Sequence, residues 1–440
     1  MKVAFTTLGC RTNQNDTAEM QTLLEQEGFS IVSHQEMADI YVVNTCTVTA
    51  KSDYNSRLAV KKSLAINEEA MVVFTGCYAQ NNPEEVSKIN GLDVVLGNAN
   101  KLEIGRVIKR RLSTLQEEDA FGLPLVHMSD ITKRWDFKPI PVSDFHGKTK
   151  AFIKVQTGCD EKCTFCTVAS ARGRSISDTR INVLGNVRQA VEAGYREITL
   201  TGINLGTFGG DLRPAESFSS LVADILELPG NFRVRLSSIN PMEIEDDLIR
   251  LMAESEKLCP HFHIPLQSGD DVVLKNMRRN YNSMQYRMTL ERVLKVIPNP
   301  GLGADVIVGF PGETEAQFEN TRRMIEDFPF TYLHVFSYSP RKGTTAFDLN
   351  NDIPNAVKKE RNQILTSLAR DKARTFRENL VGQKASLLIE NSRDPETGEL
   401  RGHTERYIPM AVEGSDEWVN RLAPVRIMKV NDQKVQGCLL

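Results

Sequence analysis

The sequence predicts an α/β protein in three parts: a parallel α/β domain over 1–135, an open barrel of six βα units over 145–375, and a small antiparallel β-barrel over 380–440. Three observations predict it. Apolar, β-rich runs alternate with helical stretches from Lys2 to Ser337, the order that builds parallel sheets. A polar stretch with Pro124, Pro139, Pro141 and Gly147 separates two such series and reads as a linker. After Lys384 strand follows strand with no helix between, as in a small all-β unit. A chain of 440 residues has room for two or three domains.

In the first part, the runs Lys2–Gly9, Ile40–Thr45 and Met71–Gly76 each lead into a cysteine, Cys10, Cys46 or Cys77. Helical stretches at Asp16–Glu27 and Asp53–Ile66 lie between them. In a parallel sheet the loops after the strands gather on one edge, where ligands bind. Three cysteines in register there point to a metal cluster, whereas one alone would read as a small buried hydrophobe. Cys259 and Cys438 have no such partners and read as structural. A further strand at Val94–Gly97 precedes a helix at Glu103–Leu112 that carries Arg106, Lys109, Arg110 and Arg111.

The second part has strands at Ala151–Thr157, Glu197–Thr201, Arg233–Ser237, Phe262–Leu266, Gly303–Val308 and Leu333–Ser337, separated by helical patterns from Ile181 to Asp327. Reactive groups of such a barrel belong at the C-terminal ends of its strands. Just past the first strand stand Cys159, Cys163 and Cys166, spaced C-x3-C-x2-C. Three thiolates are one fewer than the four irons of a cubane take, so one iron stays open for chemistry. Zinc would want a fourth ligand at short range, and the nearest preceding histidine is His146. A disulfide framework suits a small secreted domain, not a chain of this length without a signal sequence. His261 and His263 share one face of their strand, as a hydrogen-bonded interior pair or, alternatively, metal ligands. No phosphate-binding loop and no Ser-His-Asp arrangement is evident.

A helix at Ile353–Asn379 follows, with Val357, Ile364, Leu365, Leu368 and Phe376 near helical spacing. Its other face carries Lys358, Lys359, Arg361, Arg370, Lys372, Arg374 and Arg377, either a solvated face or a stripe for phosphates. Strands follow at Lys384–Glu390, Tyr407–Val412, Val425–Val430 and Lys434–Gly437. A net charge of -3 gives no global pull toward nucleic acid. No apolar run approaches the roughly 18 residues that cross a bilayer, so a soluble, cytoplasmic protein without a membrane partner is expected.

The triplet, placed after the first strand of a six-unit barrel, resembles that of the radical S-adenosylmethionine (SAM) superfamily. The resemblance implies a [4Fe–4S] cluster on Cys159, Cys163 and Cys166 whose open iron chelates SAM and, given an electron, yields a 5′-deoxyadenosyl radical. Nearly the whole chain resembles one branch, the methylthiotransferases. The motifs are Thr7-Leu-Gly-Cys10, Asn44-Thr-Cys46 and Thr75-Gly-Cys77, then Leu200–Gly206, His263–Gly269, Met277–Tyr281 and Asp305–Thr314. The C-terminal part resembles the TRAM domain, a small RNA-binding β-barrel.

That likeness implies a second [4Fe–4S] cluster on Cys10, Cys46 and Cys77, holding the sulfur to be transferred. It also implies a flavodoxin- or ferredoxin-type electron carrier, and it leaves the sulfur donor unidentified. Thr201, Gly202 and Asn204 occupy the place of the stretch that contacts SAM's amino group. Gln267, Ser268 and Asp305 contact SAM or line the nucleoside pocket, with Phe165 beside the adenine and Arg278 and Arg279 facing RNA phosphates. The stretch Thr7–Gln14 is most similar to the enzymes acting on N6-threonylcarbamoyladenosine in tRNA. The implied reaction puts a methylthio group on carbon 2 of that nucleoside beside the anticodon. Isopentenyladenosine in tRNA and an aspartate of a ribosomal protein are the competing substrates. A non-catalytic iron–sulfur protein that binds RNA or senses redox state is the competing class.

Overall fold

The computed structural model describes residues 1–114, 122–133, 135–350, 352–431 and 434–440. They form two compact units. The first is Met1–Asp144, Lys154–Asn182 and Ser339–Phe347; the second is Phe145–Ile153, Val183–Tyr338 and Asp348–Leu440.

Six parallel strands form the sheet of the first unit: β1 (Lys2–Thr7), β2 (Ser30–Val32), β3 (Ile40–Thr45), β4 (Met71–Gly76), β5 (Val94–Leu96) and β6 (Leu125–His127), in the order β2-β1-β3-β4-β5-β6. Every residue of β3 and β4 is buried, as helix-covered parallel strands require. Val3, Val42, Val73 and Val94 pack one face with Met20, Leu24 and Ile108; Val43, Val72, Phe74 and Val95 pack the other with Val60 and Tyr78. The edge strands β2 and β6 have three residues each, too short for an alternation to be legible.

The first helix runs Arg11–Gln26, five residues ahead of its predicted start at Asp16. Its first turns bury Thr12, Asn13, Asn15 and Asp16, so polar residues face inward and hide the start from apolar periodicity. The predicted linker is a packed strap over 135–142. Phe137 and Val142 are buried, the Ile140 amide donates to Glu19 (3.2 Å), and Asn182 donates to the Pro139 carbonyl (2.9 Å).

In the second unit the barrel strands are β7 (Ala151–Lys154, of which Ala151–Ile153 belong here), β10 (Glu197–Thr201), β11 (Arg233–Leu236), β12 (His261–His263), β13 (Gly301–Val308) and β14 (Tyr332–Ser337). They form two three-stranded sheets, β11-β10-β7 and β12-β13-β14, joined by the parallel bridges Val234–Leu258 and Ser238–His263. The first predicted strand, Ala151–Thr157, is therefore two. After Val155 the chain enters β8 (Gln156–Thr157), which pairs antiparallel with β9 (Ile176–Ser177) in the first unit and closes a ribbon around 158–175.

The C-terminal strands β15 (Lys384–Arg393), β16 (Leu400–Thr404), β17 (Pro409–Val412), β18 (Leu422–Asn431) and β19 (Lys434–Leu439) close into a barrel ordered β15-β16-β17-β19-β18. Leu387, Ile389, Leu400, Met410, Val412, Val425 and Val435 fill it. One pair departs from the expected antiparallel pattern, since β17 and β19 run parallel to complete the ring. Glu197 on β10 binds Arg233 (2.6 Å) and Arg235 (2.8 Å), and these arginines donate to the carbonyls of Ser386, His403, Thr404 and Glu405 at 2.7–2.9 Å. Burial would raise the Glu197 carboxyl, but the two guanidiniums hold it well below the usual range. Among the described residues no helix is long and apolar enough to cross a membrane.

Helix Asn355–Glu378 divides the basic stripe between surface and interior. Arg361 is buried against Glu313 (2.8 Å), Lys358 is buried over the Tyr338 ring, and Lys372 donates to the Glu326 carbonyl. These contacts tie the helix to its unit, while Lys359, Arg370 and Arg374 are exposed.

Candidate active site

The first unit brings together the two cysteine triplets. Cys10, Cys46 and Cys77 follow β1, β3 and β4, which are neighbours in the sheet. Cys10 takes the N-cap position of helix Arg11–Gln26, and Cys77 opens the short helix Cys77–Asn81. Gly9 has φ +94°, and a Cβ there would lie 2.9 Å from Cys46 Sγ, so only glycine lets the Cys10 turn close over Cys46. Burial pushes the Cys46 thiol up to about 11, and the thiols of Cys77 and Cys10 push the same way.

Cys159, Cys163 and Cys166 lie on the loop inside the β8–β9 ribbon. The Cys159 amide donates to the Gly173 carbonyl (3.1 Å), the Cys166 amide to the Cys163 carbonyl (3.2 Å), and the Val168 amide to Cys166 Sγ (3.4 Å). Gly158 (φ +72°) precedes the triplet where any Cβ would meet the Arg174 carbonyl. Burial raises the Cys159 thiol to about 12, with Cys166 and Cys163 adding to the shift. In both triplets, neighbouring thiolates disfavour one another until a cation joins them. That suits an iron–sulfur cluster, which binds thiolate and brings the positive charge.

Helix Val168–Arg172, directly after Cys166, meets the elements that carry the first triplet. Asn81 donates to the Thr167 carbonyl (3.2 Å); Asn98 donates to the Ala171 carbonyl (2.7 Å) and lies 3.8 Å from Cys77 Sγ. Arg172 reaches Asn13 Oδ1 (2.5 Å) and Asp16 Oδ2 (2.7 Å). Asp16 also binds Lys101 (2.7 Å) and Lys154 (2.6 Å), and Lys154 binds Glu19 (2.6 Å). Burial opposes ionisation of Asp16, but Arg172, Lys101 and Lys154 hold its carboxyl well below the usual range. Sequence reasoning missed this network. One signal was available, since Lys154 is a cation in the middle of an apolar strand.

The barrel residues lie in the second unit. Thr201 ends β10 and is buried; Gly202 follows half-buried; Asn204 is buried and donates to Glu243 (2.7 Å). Gln267 has φ +60°, its backbone tied to Asp305 (2.8 Å) and Ile307 (2.9 Å). Ser268 is fully buried, with its hydroxyl 3.2 Å from Thr321 and accepting from the Asp270 amide (3.2 Å). Asp305 is half-buried and lies 3.2 Å from His263. His261 (3.0 Å) and His263 (3.1 Å) both reach the Tyr332 hydroxyl. His263, Asp305 and His334 set ligand atoms within 4.8 Å of one another, but both His263 ring nitrogens are engaged by Tyr332 and Asp305. Arg279 donates to Asn240 (2.6 Å) and lies over the Tyr281 ring.

Two family profiles match the chain: Uncharacterized protein family UPF0004 over residues 2–97 and the Radical SAM superfamily over 153–325. The fold is also that of a radical S-adenosylmethionine methyltransferase, TsrM from Kitasatospora setae, with TM-score 0.56 at 13% identity over 79% of this chain and 74% of that one. Fold and profiles define a radical SAM enzyme, a class that implies a [4Fe–4S] cluster and SAM. Threonylcarbamoyladenosine tRNA methylthiotransferase MtaB of Aquifex aeolicus (strain VF5) is 36% identical over 97% of this chain and all of its own length. The protein of the same name from Bacillus subtilis (strain 168) is 34% identical over 97% of this chain and 94% of its own. The tRNA-2-methylthio-N(6)-dimethylallyladenosine synthase of Syntrophotalea carbinolica is 33% identical over 96% and 95%. The chain belongs to the radical SAM methylthiotransferase family.

Proposed function

We propose that the protein puts a methylthio group on carbon 2 of N6-threonylcarbamoyladenosine in tRNA, using two [4Fe–4S] clusters. The observation that carries this reading is the gathering of two cysteine triplets in one compact unit, bridged by helix Val168–Arg172. Cys159, Cys163 and Cys166 hold the cluster that supplies the SAM-derived radical, and Cys10, Cys46 and Cys77 hold the one that supplies sulfur. Asn204, Gln267, Ser268 and Asp305, with the backbone at Thr201 and Gly202, bind SAM and the nucleoside. The substrate rests on Thr7–Gln14 and on relatives such as those of Aquifex aeolicus and Bacillus subtilis named for that nucleoside. The C-terminal barrel is the RNA-binding part, a flavodoxin- or ferredoxin-type protein the electron carrier, and the cytoplasm the site of action.

The test incubates anaerobically reconstituted protein with unmethylthiolated tRNA, SAM, sulfide and dithionite, then weighs the digested nucleosides. A methylthio adduct on threonylcarbamoyladenosine is expected. The adduct on isopentenyladenosine alone would move the substrate to that of the Syntrophotalea relative. SAM cleavage without an adduct would turn the search to a protein substrate. No 5′-deoxyadenosine at all would overturn the reading.

A further inference from the structure

The buried network of the first unit does not balance. Asp16 and Glu19 bring two carboxylates and Asp178, within electrostatic reach of Glu19 and Lys154, a third that burial raises to about 7, whereas Lys101, Lys154 and Arg172 bring three cations, all of them nearly excluded from water. While Asp178 keeps its proton one cation lacks a carboxylate, which is costly in such a place and favours a further negative charge nearby. Arg172 supplies the direction. Two of its nitrogens are occupied, by Thr157 and by Asn13 and Asp16, while its Nε is buried without a partner. Cys77 and Cys10 lie within electrostatic reach of Arg172, and Cys77 within reach of Lys101. Asn98 ties the same place to Cys77, 3.8 Å from its Sγ. The helix that ends in Arg172 is therefore tied to the N-terminal triplet, although Arg172 stands six residues after Cys166 on the loop of the other one.

We propose that Arg172 is a positioning residue for the N-terminal cluster: it carries a buried positive charge that favours the cluster's reduced, more negative state and so raises its reduction potential. This rests on the reading that Cys10, Cys46 and Cys77 hold a cluster. A fixed cation favours the more negative, reduced state, so removing it makes reduction harder. Because the cation arrives on the loop of Cys159, Cys163 and Cys166, the electronic state of one site depends on the fold of the other.

The test uses the full-length chain with C159A, C163A and C166A, so that a single cluster remains, and follows it by electron paramagnetic resonance during a redox titration. R172Q is expected to lower the reduced-to-oxidised ratio at a fixed potential about tenfold, a shift of about 59 mV for one electron. R172K should recover most of that shift, and K101Q should move the potential the same way by less. If R172Q binds no cluster but R172K does, the charge is still the cause and the proposal stands. An R172Q potential equal to that of its parent would overturn it, as would equal loss of iron in R172Q and R172K with K101Q unshifted. A parent chain that binds no iron at all would instead defeat the second-cluster reading itself.

Discussion

At the scale of single residues, the grouping of the cysteines was legible and their surroundings were not. Spacing alone marks Cys159, Cys163 and Cys166, because three soft ligands in eight positions have few other uses. Arg172 reads in sequence as one more solvated cation, since only the fold buries it against Asp16 and Asn13. Gly9 makes the contrast testable. Gly9→Ala should cost the protein about four irons per chain, the content of one [4Fe–4S] cluster, while SAM cleavage persists. Iron analysis with a 5′-deoxyadenosine assay checks it, and an unchanged iron content would count against the Cys10–Cys46–Cys77 site. A second residue sets a pH response. Burial raises the Asp178 carboxyl to about 7. Its folded pKa lies above its unfolded value of about 3.9, so the folded state binds the extra proton and stability falls as pH rises from about 4 to about 7. Asp178→Asn should therefore raise the melting temperature at pH 8 and leave it unchanged at pH 4, as differential scanning fluorimetry would show.

At the scale of elements, periodicity located the barrel strands and their helices to within a few residues and missed what departs from apolar alternation. The start of helix Arg11–Gln26 was hidden by buried polar residues, and β2 and β6 by their brevity. Helix Asn355–Glu378 was legible as an element but not in its role. Arg361 clamps the loop after β13, where Glu313 accepts both from it and from the Gly309 amide (2.7 Å). Arg361→Ala leaves a buried carboxyl without its cation and should lower stability by about 3 kcal/mol, read as a shift of the urea midpoint. Because burial already raises the Glu313 pKa, the loss should shrink as the pH falls and the carboxyl takes up a proton.

At the scale of the whole molecule, three successive parts were foreseen, but chain order is not the order of packing. The C-terminal barrel is fastened to the central one by Glu197 and its two arginines. Glu197→Gln should therefore destabilise the second unit by about 3–5 kcal/mol at neutral pH. The folded pKa of Glu197 is depressed, so this contribution is present above its unfolded value of about 4.3 and is lost as pH falls below it. Parallel thermal melts of parent and variant at pH 7 and in acid would show the gap closing. The first unit is made from three separated stretches. Its last, Ser339–Phe347, reaches back so that Arg341 binds Asp53 and Thr47 near Cys46, and the Ala346 amide binds the Thr164 carbonyl between Cys163 and Cys166. A ribosome adding about 5–20 residues per second spends on the order of ten seconds between Asn182 and Phe347. For much of that interval the six cysteines stand without the segment that completes their unit. The packing around both triplets is thus finished only once translation has passed Phe347.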